Sequence, residues 1–205
     1  AHLSIIRQGR ESYGSIESGD RYGSSPVAGD FNGDGHDDLA VGSPQEAAGA
    51  LLATGIVNVN YGSNHGLTHL GAFHHGAGDF GLQQEGSFFG YALAAAYLND
   101  DAFADLIVGA PGADVNGADR AGRIFILAGS PGGLVPWVTF TQEDLGGFSV
   151  AFDAFGTALT TGRFNNDGYE DLAIGSPSND AGTGYVFVVY GTETGPFGDT
   201  DILSA

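Results

Sequence analysis

The chain has no cysteine, no methionine and no lysine among its 205 residues. Without cysteine it has neither a disulfide framework nor thiol chemistry, and without lysine it has no phosphate-cradling P-loop. Positive charge is scarce as well. All six basic residues are arginine, against 25 acidic residues, of which 18 are Asp and 7 Glu, and the formal charge is −19. A surface this acidic gives nucleic acid or an anionic membrane no general basic face to bind. It suits cation binding, secretion or a salty habitat. No apolar run of 18 residues occurs, so no transmembrane helix and no membrane insertion are expected. The first residue is Ala1 rather than Met, which suggests a removed leader.

What the chain has in excess is glycine, 36 residues, set between short apolar runs rather than long helical periodicities. That pattern predicts many short strands joined by tight turns. Residues 55–62 and 122–129 alternate or run apolar between glycines, as half-buried and buried strands do. Strands are also expected at Ser4–Gln8, Tyr91–Ala96, Trp137–Gln142 and Thr157–Thr161. A last one is expected near Asp201–Ala205.

The most informative stretch is Asp30–Pro44, Asp-Phe-Asn-Gly-Asp-Gly-His-Asp-Asp-Leu-Ala-Val-Gly-Ser-Pro. Asp30, Asn32 and Asp34 alternate with Phe31 and Gly33, so three oxygen-bearing side chains can turn to one centre. Gly35 permits the sharp turn, the carbonyl of His36 lies between, and Asp38 returns a further oxygen. Such a set suits a hard cation taking six to eight oxygens, and calcium in particular. The opening matches an EF-hand loop, but Val41 stands where that loop needs a bidentate Glu. Leu39–Val41 then reads as a buried strand, so Asp38 must close the loop. The alternative is an Asp/Asn/Gly-rich surface turn with no ion.

The frame recurs twice. An aromatic-Gly pair (Tyr22-Gly23, Phe89-Gly90, Phe155-Gly156) precedes each loop's first position by the same spacing, and each loop leads into an apolar run ending Gly-Ser-Pro or Gly-Ala-Pro. The second loop offers Asn99, Asp101 and Asp105 but begins with Tyr97 and has Ala102 in the glycine place. The third offers Asn165, Asp167 and Asp171 but begins with Arg163, whose guanidinium is expected to sit among those acids as a counter-cation. Both are expected to bind calcium weakly or not at all.

These residues resemble the FG-GAP repeat of the integrin α-subunit β-propeller and its bacterial or archaeal relatives. The resemblance spans nearly the whole chain. It implies an all-β fold, a β-propeller-like array of about three four-stranded blades (units 1–75, 76–142 and 143–205 of one domain), with calcium between two strands of a blade. Three blades do not close a ring, so the array is expected to be incomplete as a single chain and to self-associate, as a homo-oligomer or a filament.

Other candidate chemistry reduces to structure. His65, His69, His74 and His75 read as solvated loop histidines, not a metal site. Gly147–Ala151 falls short of a nucleophile elbow and reads as a strand. Asp114–Asp119 reads as a turn, and Tyr22, Phe89 and Phe155 as core anchors. No catalytic constellation remains, so a non-enzymatic, extracellular or cell-surface module for adhesion or assembly is expected, with calcium as its cofactor and a protein or glycan as its ligand. The alternatives are a subunit of an extracellular filament or surface layer, and the accessory propeller of a secreted hydrolase whose catalytic part is absent.

Overall fold

A computed structural model describes residues 5–8 and 17–196. Three antiparallel sheets follow one another along the chain. The first has the order β1 (Ser25–Gly29), β2 (Asp38–Ser43), β3 (Ile56–Tyr61), β4 (Thr68–His75). The second repeats it with β5 (Ala92–Ala96), β6 (Asp105–Ala110), β7 (Arg123–Ala128) and β8 (Val135–Phe140). The third holds β9 (Ala158–Gly162), β10 (Asp171–Ser176) and β11 (Tyr185–Val189). A fourth strand for this sheet was expected at Asp201–Ala205, outside the described residues. A 3-10 turn at Ala77–Phe80 and one helical turn, α1, at Asn179–Gly182 complete the regular structure among the described residues.

The first strands of successive sheets lie side by side, β1 by β5 and β5 by β9, and two cores form between the blades. Because side chains alternate across a strand, the middle blade is apolar on both faces. Leu106, Val108, Phe125 and Leu127 face the first blade, where they meet Ala40, Val57 and Val59. Ile107, Ile124 and Ile126 face the third, where they meet Leu172, Ile174, Phe187 and Val189. Burial on both sides explains why β6 reads as an unbroken apolar run. Phe89 and Phe155 anchor the two cores edge-on, 5.1 Å from Phe125 and 5.3 Å from Phe187 between ring centroids.

The two outward faces differ. On β3, Asn58 and Asn60 occupy the register positions that the later blades fill with Phe125 and Leu127, then Phe187 and Val189. Both are buried, and the Asn58 amide has no hydrogen-bond partner among the described residues. At the other end, Val186 is 56% exposed and Val188 and Ala173 are half-buried.

Three sequence expectations fail here. Ile5–Gln8 is not a strand. Gln8 is instead buried and donates a hydrogen bond to Glu46, beside buried Asp20. The third blade has a comparable bracket, in which Gln142 donates to Asp153 and accepts from Asn179. Gly147–Ala151 is also not a strand, since no neighbouring strand pairs with it and Phe148 is 83% exposed. His69, His74 and His75 lie on β4 rather than in a loop, because the third strand supplies an edge on which Thr68–His75 can pair.

Candidate metal centre

The three Asp loops connect the first and second strands of their blades, so all three emerge at one end of the array. The second strand of each blade opens with a buried acid: Asp38, Asp105 and Asp171. Each carboxylate brackets its blade. Asp38 accepts from Phe31 N–H at 2.9 Å and Gly62 N–H at 2.8 Å. Asp105 accepts from Leu98 and Gly129 N–H, both at 3.1 Å. Asp171 does the same for Phe164 at 2.6 Å and Gly191 at 3.1 Å. Burial raises the carboxyl of Asp105 to about 6, against the two N–H groups that favour its charged form. Burial likewise raises Asp38. The acid that closes each loop therefore also ties the loop's entry to the turn after the third strand.

In the first loop, Asp30 Oδ1 accepts from Gly33 and Asp34 N–H at 2.7 and 3.1 Å, and Oδ2 from Gly35 N–H at 2.9 Å. Asn32 Oδ1 accepts from Asp34 N–H at 2.9 Å, and Asp34 Oδ1 from His36 N–H at 2.9 Å. These bonds wrap the backbone around the side-chain oxygens, and the His36 N–H holds the Asp34 carboxyl below its usual range. Each carboxylate oxygen keeps further lone-pair capacity. The donor set, hard oxygens in a glycine-bearing loop without Arg, fits calcium chemically, although no described group of three acids or histidines converges as a ligand cluster.

The His36 ring spans from Asp34 Oδ1, at 3.1 Å, to Asn64 Oδ1 in the loop after β3, at 2.9 Å. The Asn64 bond and then Asp34 raise its pKa. Phe103, from the second loop, packs against Gly33 of the first, leaving no room for a Cβ there.

In the second loop Asn99 Oδ1 and Asp101 Oδ1 accept from Asp101 and Phe103 N–H at 3.1 and 2.8 Å. In the third, Asn165 and Asp167 do so for Asp167 and Tyr169, at 3.1 and 2.9 Å. Both loops thus keep the middle of the first loop's wrapping but not the leading Asp. The expected role of Arg163 is not found: it is exposed and forms no ion pair with Asp167 or Asp171 among the described residues, and backbone N–H groups already bond the side-chain oxygens of Asn165, Asp167 and Asp171. A residue that sequence reasoning missed is Glu170. Its Oε2 accepts from Tyr97 N–H at 2.8 Å, which brings a carboxylate of the third blade to the head of the second loop. Nothing in the local spacing announces a bond between residues so far apart in sequence.

Of the remaining candidates, His75 pairs with Asp79 at 3.0 Å, and burial lowers its pKa. Asp114–Asp119 is a turn, closed by reciprocal Val115 and Ala118 backbone bonds. Trp137 is half-buried against the second core.

A family model described as FG-GAP repeat matches residues 22–54, 89–127 and 155–189. Integrin alpha-PS2 of Drosophila melanogaster is 33% identical over 89% of this chain and 12% of its own length. Integrin alpha-V of Gallus gallus is 31% identical over 84% of this chain and 16% of its own. Phosphatidylinositol-glycan-specific phospholipase D of Rattus norvegicus is 39% identical over 52% of this chain and 13% of its own. The chain thus spans under a fifth of these relatives.

Proposed function

Because the chain belongs to the FG-GAP repeat family, we propose that it is a non-enzymatic, calcium-braced interaction module that works at the cell surface or outside the cell. The observation that carries this reading is the first loop. Asp30, Asn32 and Asp34 gather on a wrapped backbone, and the buried Asp38 behind them ties Phe31 to Gly62. Asp30, Asn32, Asp34 and the His36 carbonyl would hold the ion, with Asp38 closing the loop. Calcium would supply the positive charge that lets these acids share one turn. The extracellular setting is supported by the integrin relatives. Among the described residues no helix is long and apolar enough to cross a membrane.

Self-association belongs to the same proposal. The outward face of the third blade, with Ala173, Val186 and Val188, suits a second copy. Asn58 and Asn60, on the corresponding side of the first blade, are already buried, so two copies would meet through their third blades rather than head to tail.

Calorimetric titration with calcium, paired with thermal melting, tests the cation. One site is expected, together with a rise in Tm that Asp34→Ala abolishes; in chelator the variant should melt close to wild type. Equal losses in both conditions would remove the metal role. Light scattering tests assembly. A discrete dimer, reduced to monomer by Val186→Asp, is expected, and a clean wild-type monomer would end that part of the proposal.

A second reading, an accessory propeller of a secreted hydrolase, is favoured by the similarity to a phospholipase D. Turnover of ester or glycoside substrates by the isolated chain would support an unrecognised active site.

A further inference from the structure

The end of the array opposite the Asp loops carries a feature that the cation reading leaves unused. A groove of about 310 Å³ lies between the second and third blades, lined by Phe88, Tyr91, Arg120, Phe152, Thr157 and Ser178. Two of these residues have no counterpart of their kind in the other repeats. The position four residues before the glycine of the aromatic-Gly pair is Gly19 in the first blade and Gly86 in the second, with φ of 114° and 71°. In the third blade it is Phe152, held at φ 70° and 57% exposed. A left-handed backbone disfavours any residue with a Cβ, and an exposed phenyl ring gains little burial in return.

Position 120 shows a related pattern. Ala53, Arg120 and Gly182 are equivalent, all with positive φ, and only the second blade uses a long side chain. The Arg120 guanidinium lies 5.6 Å from the centre of the Phe88 ring. No carboxylate among the described residues forms an ion pair with it. The nearby Asp114 is occupied, its Oδ1 by Arg120's own N–H at 2.8 Å and its Oδ2 by Gln84 at 2.6 Å.

The apolar surface continues past the groove. Phe148 and Val150 lead into the turn at residues 151–152 that carries Phe152, and the three are 83%, 57% and 57% exposed. The segment is fixed rather than loose. Val150 N–H donates to the buried Asp153 at 2.8 Å, Gln142 donates to the same carboxylate, and Phe152 N–H donates to the Asp119 carbonyl at 2.7 Å. These are anchored apolar side chains displayed to solvent on a chain of net charge −19.

We infer that this groove and ledge bind an extended segment of a partner protein that presents a carboxylate beside large apolar side chains. The carboxylate meets Arg120, an apolar side chain enters between Tyr91 and Phe152, and its neighbours lie along Val150 and Phe148. Arg suits a carboxylate through its planar fork of donors. The net negative charge opposes a membrane that presents many anionic groups far more than a segment that presents one carboxylate, and the ledge beyond the groove offers a sugar no polar partner on Phe148 or Val150.

The test is selection of a displayed random heptapeptide library on the immobilised full chain, run in calcium and again in chelator. Selected peptides are then measured as synthetic ligands. Enrichment of Asp or Glu next to aromatic or aliphatic residues is expected in both buffers, so failure of the cation reading leaves this one standing. Arg120→Gln should weaken binding about tenfold and abolish its weakening by added salt, as loss of a charge-assisted pair does. Phe152→Gly should weaken binding as much, while Tm stays level or rises because a strained position is relieved. A loss of binding with undiminished Tm separates recognition from folding. Absence of an enriched motif, a motif without an acid, or binding indifferent to both variants would overturn the inference. So would a dimer that Phe152→Gly dissolves, since the occupant would then be a second copy.

Discussion

Gly109 in β6 backs directly onto Gly156 at the head of the third blade. A Cβ on Gly156 would lie 3.4 Å from the Gly109 Cα, and one on Gly109 would overlap the Gly156 carbonyl oxygen. Gly42 and Gly90 repeat the relationship between the first and second blades. At both seams between blades, the glycine of the aromatic-Gly pair in one blade (Gly90, Gly156) and the glycine before Ser/Ala-Pro in the preceding blade (Gly42, Gly109) are thus two halves of one inter-blade contact, while Gly23 and Gly175, at the two ends of the array, make none. Substituting Gly109→Ala forces backbone against backbone at a site with no flexible side chain to yield. A loss of about 2–4 kcal/mol is expected, in the range of severe overpacking, measured by denaturant melts. A loss below the ordinary surface level would show that the blades can part without cost.

Asp105→Ala should be as damaging for a different reason. It leaves the N–H groups of Leu98 and Gly129 without their acceptor inside a buried site. Each buried unsatisfied donor costs about 1–3 kcal/mol. Asp105→Asn keeps one acceptor and should recover part of the loss. Equal stability of the two variants would mean that water replaces the carboxylate.

Glu46 gives the pH dependence. Burial first, and then the charge of Asp20, hold its carboxyl above the ordinary value of 4.5. The folded state therefore keeps this proton after the unfolded chain has released it. Its contribution to stability is full below 4.5 and is lost as pH rises through the folded value. Glu46→Gln removes that loss while keeping a group able to bond Gln8. The variant should gain on wild type as pH climbs from 4 towards 7, read as diverging Tm curves. Parallel curves would place the titration elsewhere.

Asn58 makes a prediction of opposite sign to the first two. Its amide is buried without a hydrogen-bond partner among the described residues, where the later blades hold Phe125 and Phe187. Asn58→Leu should raise stability by about 1–3 kcal/mol, the usual penalty of an unpaired buried polar group. A destabilised variant would show that the amide is satisfied in solution, for example by water.

The sequence by itself determined the repeat. Period, aromatic-Gly pairs and Asp loops recur in register, and each is a local requirement: a turn needing glycine, a loop needing short oxygen-bearing side chains, a strand needing apolar residues. Phe89 and Phe155 could be assigned to the core, and Asp114–Asp119 to a turn, on those grounds. Tertiary structure alone decided which distant segments meet. Glu170 reaching Tyr97, Phe103 covering Gly33 and Gln8 capping Glu46 join residues far apart in sequence, so no periodicity encodes them. The same holds for Phe148. Its apolar segment reads as a strand, yet pairing depends on a neighbouring edge, and none reaches it. Whether an apolar residue ends in a core or on a ledge is settled by what the fold brings against it.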